Sequence, residues 1–200
     1  MLAVAAKRDA VEFRLQALSD PRGVEVIRRA AALIGWQSRP SPSSSATAGG
    51  RGFAYMHYKH NESYVAMAME VDVDRASGAI KVRRVACAHD CGLVINPDGL
   101  KAQIEGNILQ TLSRTLYEEV AFDRSRVTSV NWTSYPILRF PDAPEIAIDI
   151  VSRPNDPPLG AGEASATPVP AALANAVFDA VGARMTTVPF TRERVLTALK

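Results

Sequence analysis

Between residues 63 and 74 the apolar side chains Val65, Met67, Met69, Val71 and Val73 recur at every second position. A period of two fits a half-buried strand with one face turned inward and cannot be satisfied by a helix. Arg75-Ala76-Ser77-Gly78 follows as a tight turn, and residues 79–88 return through Ile80, Val82, Val85 and Cys87. The sequence thus predicts an antiparallel hairpin, and the rest of the chain has to extend or cover it.

The flanking segments change period. Residues 8–18 place Ala10, Val11, Leu15 and Leu18 on one helical face, with Asp9 as a cap and Asp20-Pro21 as a stop, and a second helix is expected over 23–34. Asn96-Pro97-Asp98 opens a helix through about Leu116, with Leu100, Ile104, Ile108 and Leu112 at spacings of four. A turn is expected near 123–125, a strand near 127–132 and a short apolar alternation over 145–151. An Ala-rich helix over 168–183 ends at Gly182, and a last helix over 191–199 starts on Thr191. This order predicts an α+β fold, with helices packed on a largely antiparallel sheet. Residues 38–50 contain no large apolar side chain and read as a Ser/Pro/Gly linker. The expected organisation is therefore a helical hairpin segment at 1–37, a linker at 38–50 and an α+β lobe at 51–200.

With 47% hydrophobic residues in 200, the chain is long enough for a sizeable core, which excludes disorder over its whole length. Its 23 basic and 21 acidic residues leave a net charge of +2, no electrostatic footprint for nucleic acid. No apolar run approaches the roughly 20 residues needed for a membrane span. The Met1 end lacks the order of a secretory signal, so the expected location is the cytoplasm, or the periplasm if a partner carries the export signal. Two cysteines are too few for a disulfide scaffold.

Three segments carry side chains suited to chemistry. Cys87, His89 and Cys91 stand at i, i+2 and i+4, one face of an extended strand, so a zinc site is conceivable. Structural zinc takes about four ligands from two pieces of chain, and the remaining histidines, His57 and His60, read as surface or loop residues. The reading of a strand end with buried cysteines is therefore preferred, and no metal ligand is assigned. Gln103 and Glu105 stand early in their helix, near its positive end, with Gly106 permitting close approach of a ligand, although the residues alone favour an exposed Gln and Glu on an ordinary amphipathic helix. Asp156-Pro-Pro-Leu-Gly160-Ala161-Gly162-Glu163 is the most unusual stretch: two prolines stiffen it, two glycines free its backbone, and a carboxylate follows. Such a loop can hold Glu163 in a partly dry pocket, where desolvation raises a carboxyl pKa and suits it to act as a general base; the alternative is a helix-entry loop in which Glu163 complements the dipole of the following helix. It lacks the Lys-Ser/Thr pair of a phosphate-binding loop.

Taken together, Asp90-Cys91-Gly92, Asn96-Pro97, Gln103-x-Glu105-Gly106 and Pro157-Pro158-Leu-Gly160-Ala-Gly162-Glu163 resemble the C-terminal portion of the molybdopterin-binding large subunit of molybdenum hydroxylases. That is the xanthine oxidase and aldehyde oxidoreductase family, and the pattern is most similar to isoquinoline and nicotinate oxidoreductase subunits. The resemblance implies a molybdenum-molybdopterin cofactor, in the cytosine dinucleotide form, shared with an upstream region or a partner chain. It implies that Glu163 takes a proton from the attacking oxygen, that Gln103 hydrogen-bonds the pterin, and that the backbone of Gly160, Ala161 and Gly162 lies against the metal centre. It further implies a separate 2Fe-2S subunit for electron transfer, since no iron–sulfur cysteine pattern occurs, and a small heteroaromatic or aldehyde substrate. The competing expectation is a non-catalytic scaffold module that kept the fold. The two differ in whether Glu163 lies in a concave, partly buried site beside the helix of Gln103.

Overall fold

The computed structural model describes residues 1–39, 41–42 and 48–200. Three short helices come first, α1 (Leu2–Ala5), α2 (Ala10–Ala17) and α3 (Pro21–Ile34). They lead into a four-stranded sheet of β1 (Ala48–His57), β2 (Tyr64–Val73), β3 (Ile80–Asp90) and β4 (Glu145–Ile150), in that spatial order. The helices α4 (Pro97–Leu116), α5 (Val169–Val181) and α6 (Arg192–Ala198) complete the chain. The expected hairpin is β2 and β3, antiparallel from Val73 opposite Ile80 to Tyr64 opposite Asp90, with an irregularity at Glu70/Val71. β1 pairs antiparallel with β2, whereas β4 pairs parallel with β3.

The hairpin departs from the expected half-buried pattern, because both of its faces are covered. Val65, Met67, Met69, Val71 and Cys87 pack with the Leu100, Ile104, Ile108 and Leu112 stripe of α4 and with α5. The opposite face carries Ala66, Ala68, Ala86 and Ala88, and α3 lies on it through Val26, Ile27 and Ala30. Alanines on that face leave room for a helix, so the alternation of bulky residues marked only one of two buried surfaces.

Helix ends follow their caps. Asp9 accepts the Val11 and Glu12 N–H groups at 2.9 and 3.2 Å, and Asp20 accepts Arg22 N–H at 2.9 Å. Asp20-Pro21 therefore ends one helical approach and starts the next, so α3 begins at Pro21 and not at residue 23. Asn96 caps α4 through the Gly99 N–H at 2.9 Å, and Gly182, at φ +79°, ends α5.

Two further expectations change. Of the segment 38–50, residues 40 and 43–47 lie outside the described residues, and Ala48, Gly49 and Gly50 already belong to β1. The strand expected at 127–132 is absent. A single bridge joins Phe122 to Val127, while Asp123 and Asn131 turn their carboxyl and amide oxygens onto the N–H groups two and three residues on. Such side-chain acceptors close turns and compete with a ladder.

The missing side chains of β1 set the depth of the α5 layer. A Cβ on Gly52 would stand 1.9 Å from the Ala172 carbonyl oxygen, and one on Gly50 would stand 2.1 Å from that of Ala176. Gly52→Ala is therefore expected to destabilise the chain by about 2–3 kcal/mol, the upper part of the overpacking range, lowering Tm by roughly 5–10 °C. Gly49→Ala is the control, since its Cβ would meet nothing closer than 3.7 Å. Equal melting of the two variants would contradict this packing.

Candidate functional site

The site is assembled where β3 ends. Asp90, fully buried, receives Arg22 of α3 through Nε at 3.0 Å and Nη2 at 2.5 Å, and Arg153 through Nε at 2.5 Å. Arg153 also reaches Glu25 at 2.6 Å, and Arg29 joins Glu25 to Asp149. Burial disfavours the charged carboxylate of Asp90. The two guanidiniums and the Gly92 N–H outweigh burial and hold its pKa below the usual range. This chain of alternating charge fixes α3, the end of β3 and the segment after β4 to one another.

The loop after β4 is fastened onto that corner. Gly92 has φ +72°, and a Cβ there would lie 2.1 Å from the Pro157 carbonyl oxygen, so the two backbones touch. Leu159 N–H donates to the Cys91 carbonyl at 2.8 Å. The buried Ser63 hydroxyl donates to the Gly160 carbonyl at 2.5 Å, and Asn107 Nδ2 of α4 donates to the Gly162 carbonyl at 3.0 Å. Among the described residues, the N–H groups of Gly160, Ala161, Gly162 and Glu163 meet no acceptor.

Beyond the loop, a 3-10 turn over Ala164–Ala166 sits against the sheet. Ser165 Oγ lies 3.0 Å from His89 Nδ1. Burial pushes the Cys87 thiol up to about 12 and lowers His89 to about 4, so both are neutral near pH 7. Cys87 and His89 share a strand face, as their spacing requires, yet among the described residues no group of three His, Cys, Asp or Glu side chains is arranged to hold a metal.

Glu163 projects from this fixed base beside α4. Its carboxylate is exposed, so the described residues do not enclose it in the dry pocket expected from the loop sequence. Tyr58, just after β1, donates its hydroxyl to the Glu163 carboxylate, and this bond raises the phenol to about 12. Gln103 is exposed on α4, one turn before Asn107 and hence on the same helical face. A Cβ on Gly106 or Gly162 would meet nothing within 4 Å. Glu105 pairs with Lys101 at 3.8 Å, and His57 stacks on Tyr64 with centroids 4.0 Å apart. A cleft of about 940 Å3 lies at the Gly78 end of the hairpin and does not include Glu163.

The loop thus presents four N–H groups without acceptors among the described residues and two open glycines beside Glu163, with the exposed amide of Gln103 on the same face of α4. A second carboxylate, that of Glu62, lies against Gly160 and pairs with Lys59 at 3.4 Å. The arrangement offers hydrogen bonds to an oxygen-rich group lying on the loop and a base for a proton beside it. The contributions of Tyr58, Ser63 and Asn107 were missed in the sequence. Asn107 had a usable signal, its i+4 spacing from Gln103. Ser63 and Tyr58 had none, because their partners are about 100 residues away.

Comparison with known proteins identifies the family. A family model described as a molybdopterin cofactor-binding domain matches residues 4–144. A nicotinate dehydrogenase subunit of Pseudomonas putida is 43% identical over 208 aligned residues, covering 99% of this chain and 18% of that protein. The beta subunit of isoquinoline 1-oxidoreductase from Brevundimonas diminuta is 35% identical over 182 residues, covering 90% of this chain and 23% of its own length. Among solved structures, quinoline 2-oxidoreductase from Pseudomonas putida 86 superposes with a TM-score of 0.63 at 32% identity, over 68% of this chain and 18% of that one. The chain thus spans between 18% and 23% of the length of these curated relatives.

Proposed function

The chain belongs to the molybdopterin cofactor-binding domain family, within the molybdenum-binding subunits of the xanthine oxidase family, and from that premise we propose that it supplies the general base of a molybdenum hydroxylase. In this reading Glu163 accepts the proton released as water-derived oxygen is transferred to an N-heteroaromatic or aldehyde substrate. The observation that carries it is the anchoring of the Glu163 loop to β2, β3 and α4, with its N–H groups left free.

The cofactor, as the cytosine dinucleotide, supplies the redox chemistry when bound. Gln103 would donate its amide to the pterin, and the backbone of Gly160, Ala161 and Gly162, with its free N–H groups, would lie against the metal centre. Tyr58 keeps the Glu163 carboxylate directed, and its phenol remains protonated at working pH because it titrates near 12. Electrons leave through a 2Fe-2S partner subunit. The names of the relatives, which act on nicotinate and isoquinoline, support the heteroaromatic class.

The site is completed by further polypeptide, because Glu163 is exposed in this chain. Combining the chain with the remainder of a large subunit and an iron–sulfur subunit is expected to yield molybdenum content and substrate turnover that the chain alone lacks. Stoichiometric molybdenum and turnover in the chain by itself would overturn the shared site. In the assembled protein, Gln103→Ala is expected to weaken cofactor retention by about three- to tenfold, the effect of one hydrogen bond. Metal analysis after dialysis reads this, and unchanged melting separates it from a folding defect.

A further inference from the structure

Arg51 stands seven residues before Tyr58, roughly 23 Å away along β1, and there a pocket of about 520 Å3 opens between the N-terminal helices and α5. Five arginines line it, at positions 8, 14, 39, 51 and 184, against two carboxylates, Asp9 and Asp179. Both carboxylates are engaged. Asp179 receives Arg39 at both guanidinium nitrogens and the Arg51 backbone N–H at 2.8 Å. Asp9 receives the cap of α2 and Trp36 Nε1 at 3.0 Å.

Arg8 is exposed and meets the Gln16 amide oxygen, and three less exposed guanidiniums likewise meet neutral groups. Arg14 reaches the Ala10 carbonyl at 3.1 Å and lies 5.9 Å from the Phe53 ring centroid. Arg184 lies over the Phe178 ring at 3.3 Å and touches Asn175 Oδ1 at 3.5 Å. Arg51 lies over Trp36 at 4.5 Å and donates to the Gln37 carbonyl at 2.5 Å, and its Nε is buried with no partner among the described residues. Burial lowers the pKa of all three. Cations withdrawn from water with too little counter-charge are destabilising. Burial alone acts on Arg14 and Arg184, Arg51 feels Asp179, Asp9 and Glu70 without a direct side-chain ion pair among the described residues, and all three line one concavity.

We propose that this pocket binds a small phosphate-bearing molecule, its phosphate oxygens taken by the guanidinium forks of Arg14, Arg51 and Arg184. The volume falls within the range of about 300–1,000 Å3 typical of ligand sites and exceeds what phosphate alone needs. Phe13 and the uncovered side of Phe178 line the same pocket and offer apolar surface to the body that carries the phosphate. A concave pocket with aromatic walls favours a small molecule over an acidic peptide segment.

Calorimetric titration of the purified chain with sodium pyrophosphate, at constant ionic strength, is expected to give saturable one-to-one binding. Arg14→Gln and Arg184→Gln should each weaken it by about tenfold or more, the loss of a charge-assisted contact, while Arg28→Gln, exposed and outside the pocket, leaves it unchanged. Without pyrophosphate, the pocket variants should melt no lower than the parent chain, because an uncompensated charge has been removed. If Arg14→Gln fails to fold, Arg184→Gln carries the test alone. Absence of saturation, equal binding by the pocket variants, or tighter binding of an oligoglutamate peptide than of pyrophosphate would each overturn the site. So would binding to cofactor-free protein that vanishes on cofactor loading, since the phosphate would then be the cofactor's own. Equal binding in both states supports a separate phosphorylated ligand.

Discussion

Glu163→Gln, introduced into the assembled enzyme, is expected to lower kcat by about 10²–10⁴-fold, the contribution of a positioned general base. Gln keeps the size of the side chain and an oxygen that still accepts from the Tyr58 hydroxyl. It removes the capacity to take a proton. The loop is held through its own backbone and not through the Glu163 side chain, so the variant should keep its fold and its molybdenum content. Steady-state kinetics together with metal analysis check the pair of outcomes. A kcat near the parent value with full molybdenum would remove Glu163 from the base role. Loss of molybdenum would move its contribution to cofactor binding. The pH dependence of kcat adds a second reading, because Tyr58 stays protonated up to about 12 and cannot supply an acid limb near neutrality.

The largest expected change in stability comes from Asp90. Asp90→Asn leaves Arg22 and Arg153 facing a neutral amide in a buried corner, and breaking such a pair on one side costs about 3–5 kcal/mol. Urea unfolding at pH 7 reads this as a shift in midpoint with little change in slope. The pH dependence has a fixed sign. The folded pKa of Asp90 is depressed, so its stabilisation is present above the unfolded carboxylate value, near 3.8, and disappears as pH falls through the lower folded value. His89 acts in the same direction and earlier: its pKa drops from 6.5 to about 4 on folding, so stability is lost as pH falls through that window. The parent chain should therefore weaken progressively from pH 6.5 to 4 through His89 and go on weakening below about 3.8 through Asp90. A midpoint independent of pH between 7 and 4 would contradict the burial of His89.

The parts of this molecule legible in its sequence are those with local causes. The hairpin announced itself through alternation and a turn, α4 through a four-residue stripe and an Asn-Pro start, and the Glu163 loop through its prolines and glycines. What stayed hidden depends on distant partners. The alanine face of β2 and β3 carries no bulky signal, although α3 covers it completely. β4 had the right apolar alternation, but nothing local to six residues says that it pairs parallel with β3. Asp90 was visible as part of a motif, whereas its two arginines come from positions 68 and 63 residues away. The segment at 127–132 misled for the opposite reason, since its β-prone residues lack any neighbour to pair with beyond one bridge.

The anchoring of the loop that carries Glu163 also bears on motion. Its backbone is tied at Leu159, Gly160 and Gly162 to the end of β3, the start of β2 and the middle of α4, and the turn behind it is pinned through Ser165 to His89. A loop tied at three points has no hinge between its ties, so it travels with the sheet as one body. The backbone that carries the Glu163 carboxylate is thus held in place before any ligand arrives. If Glu163 is the proton acceptor proposed above, any gating belongs to segments other than this loop, and opening and closing there can change without moving its carboxylate.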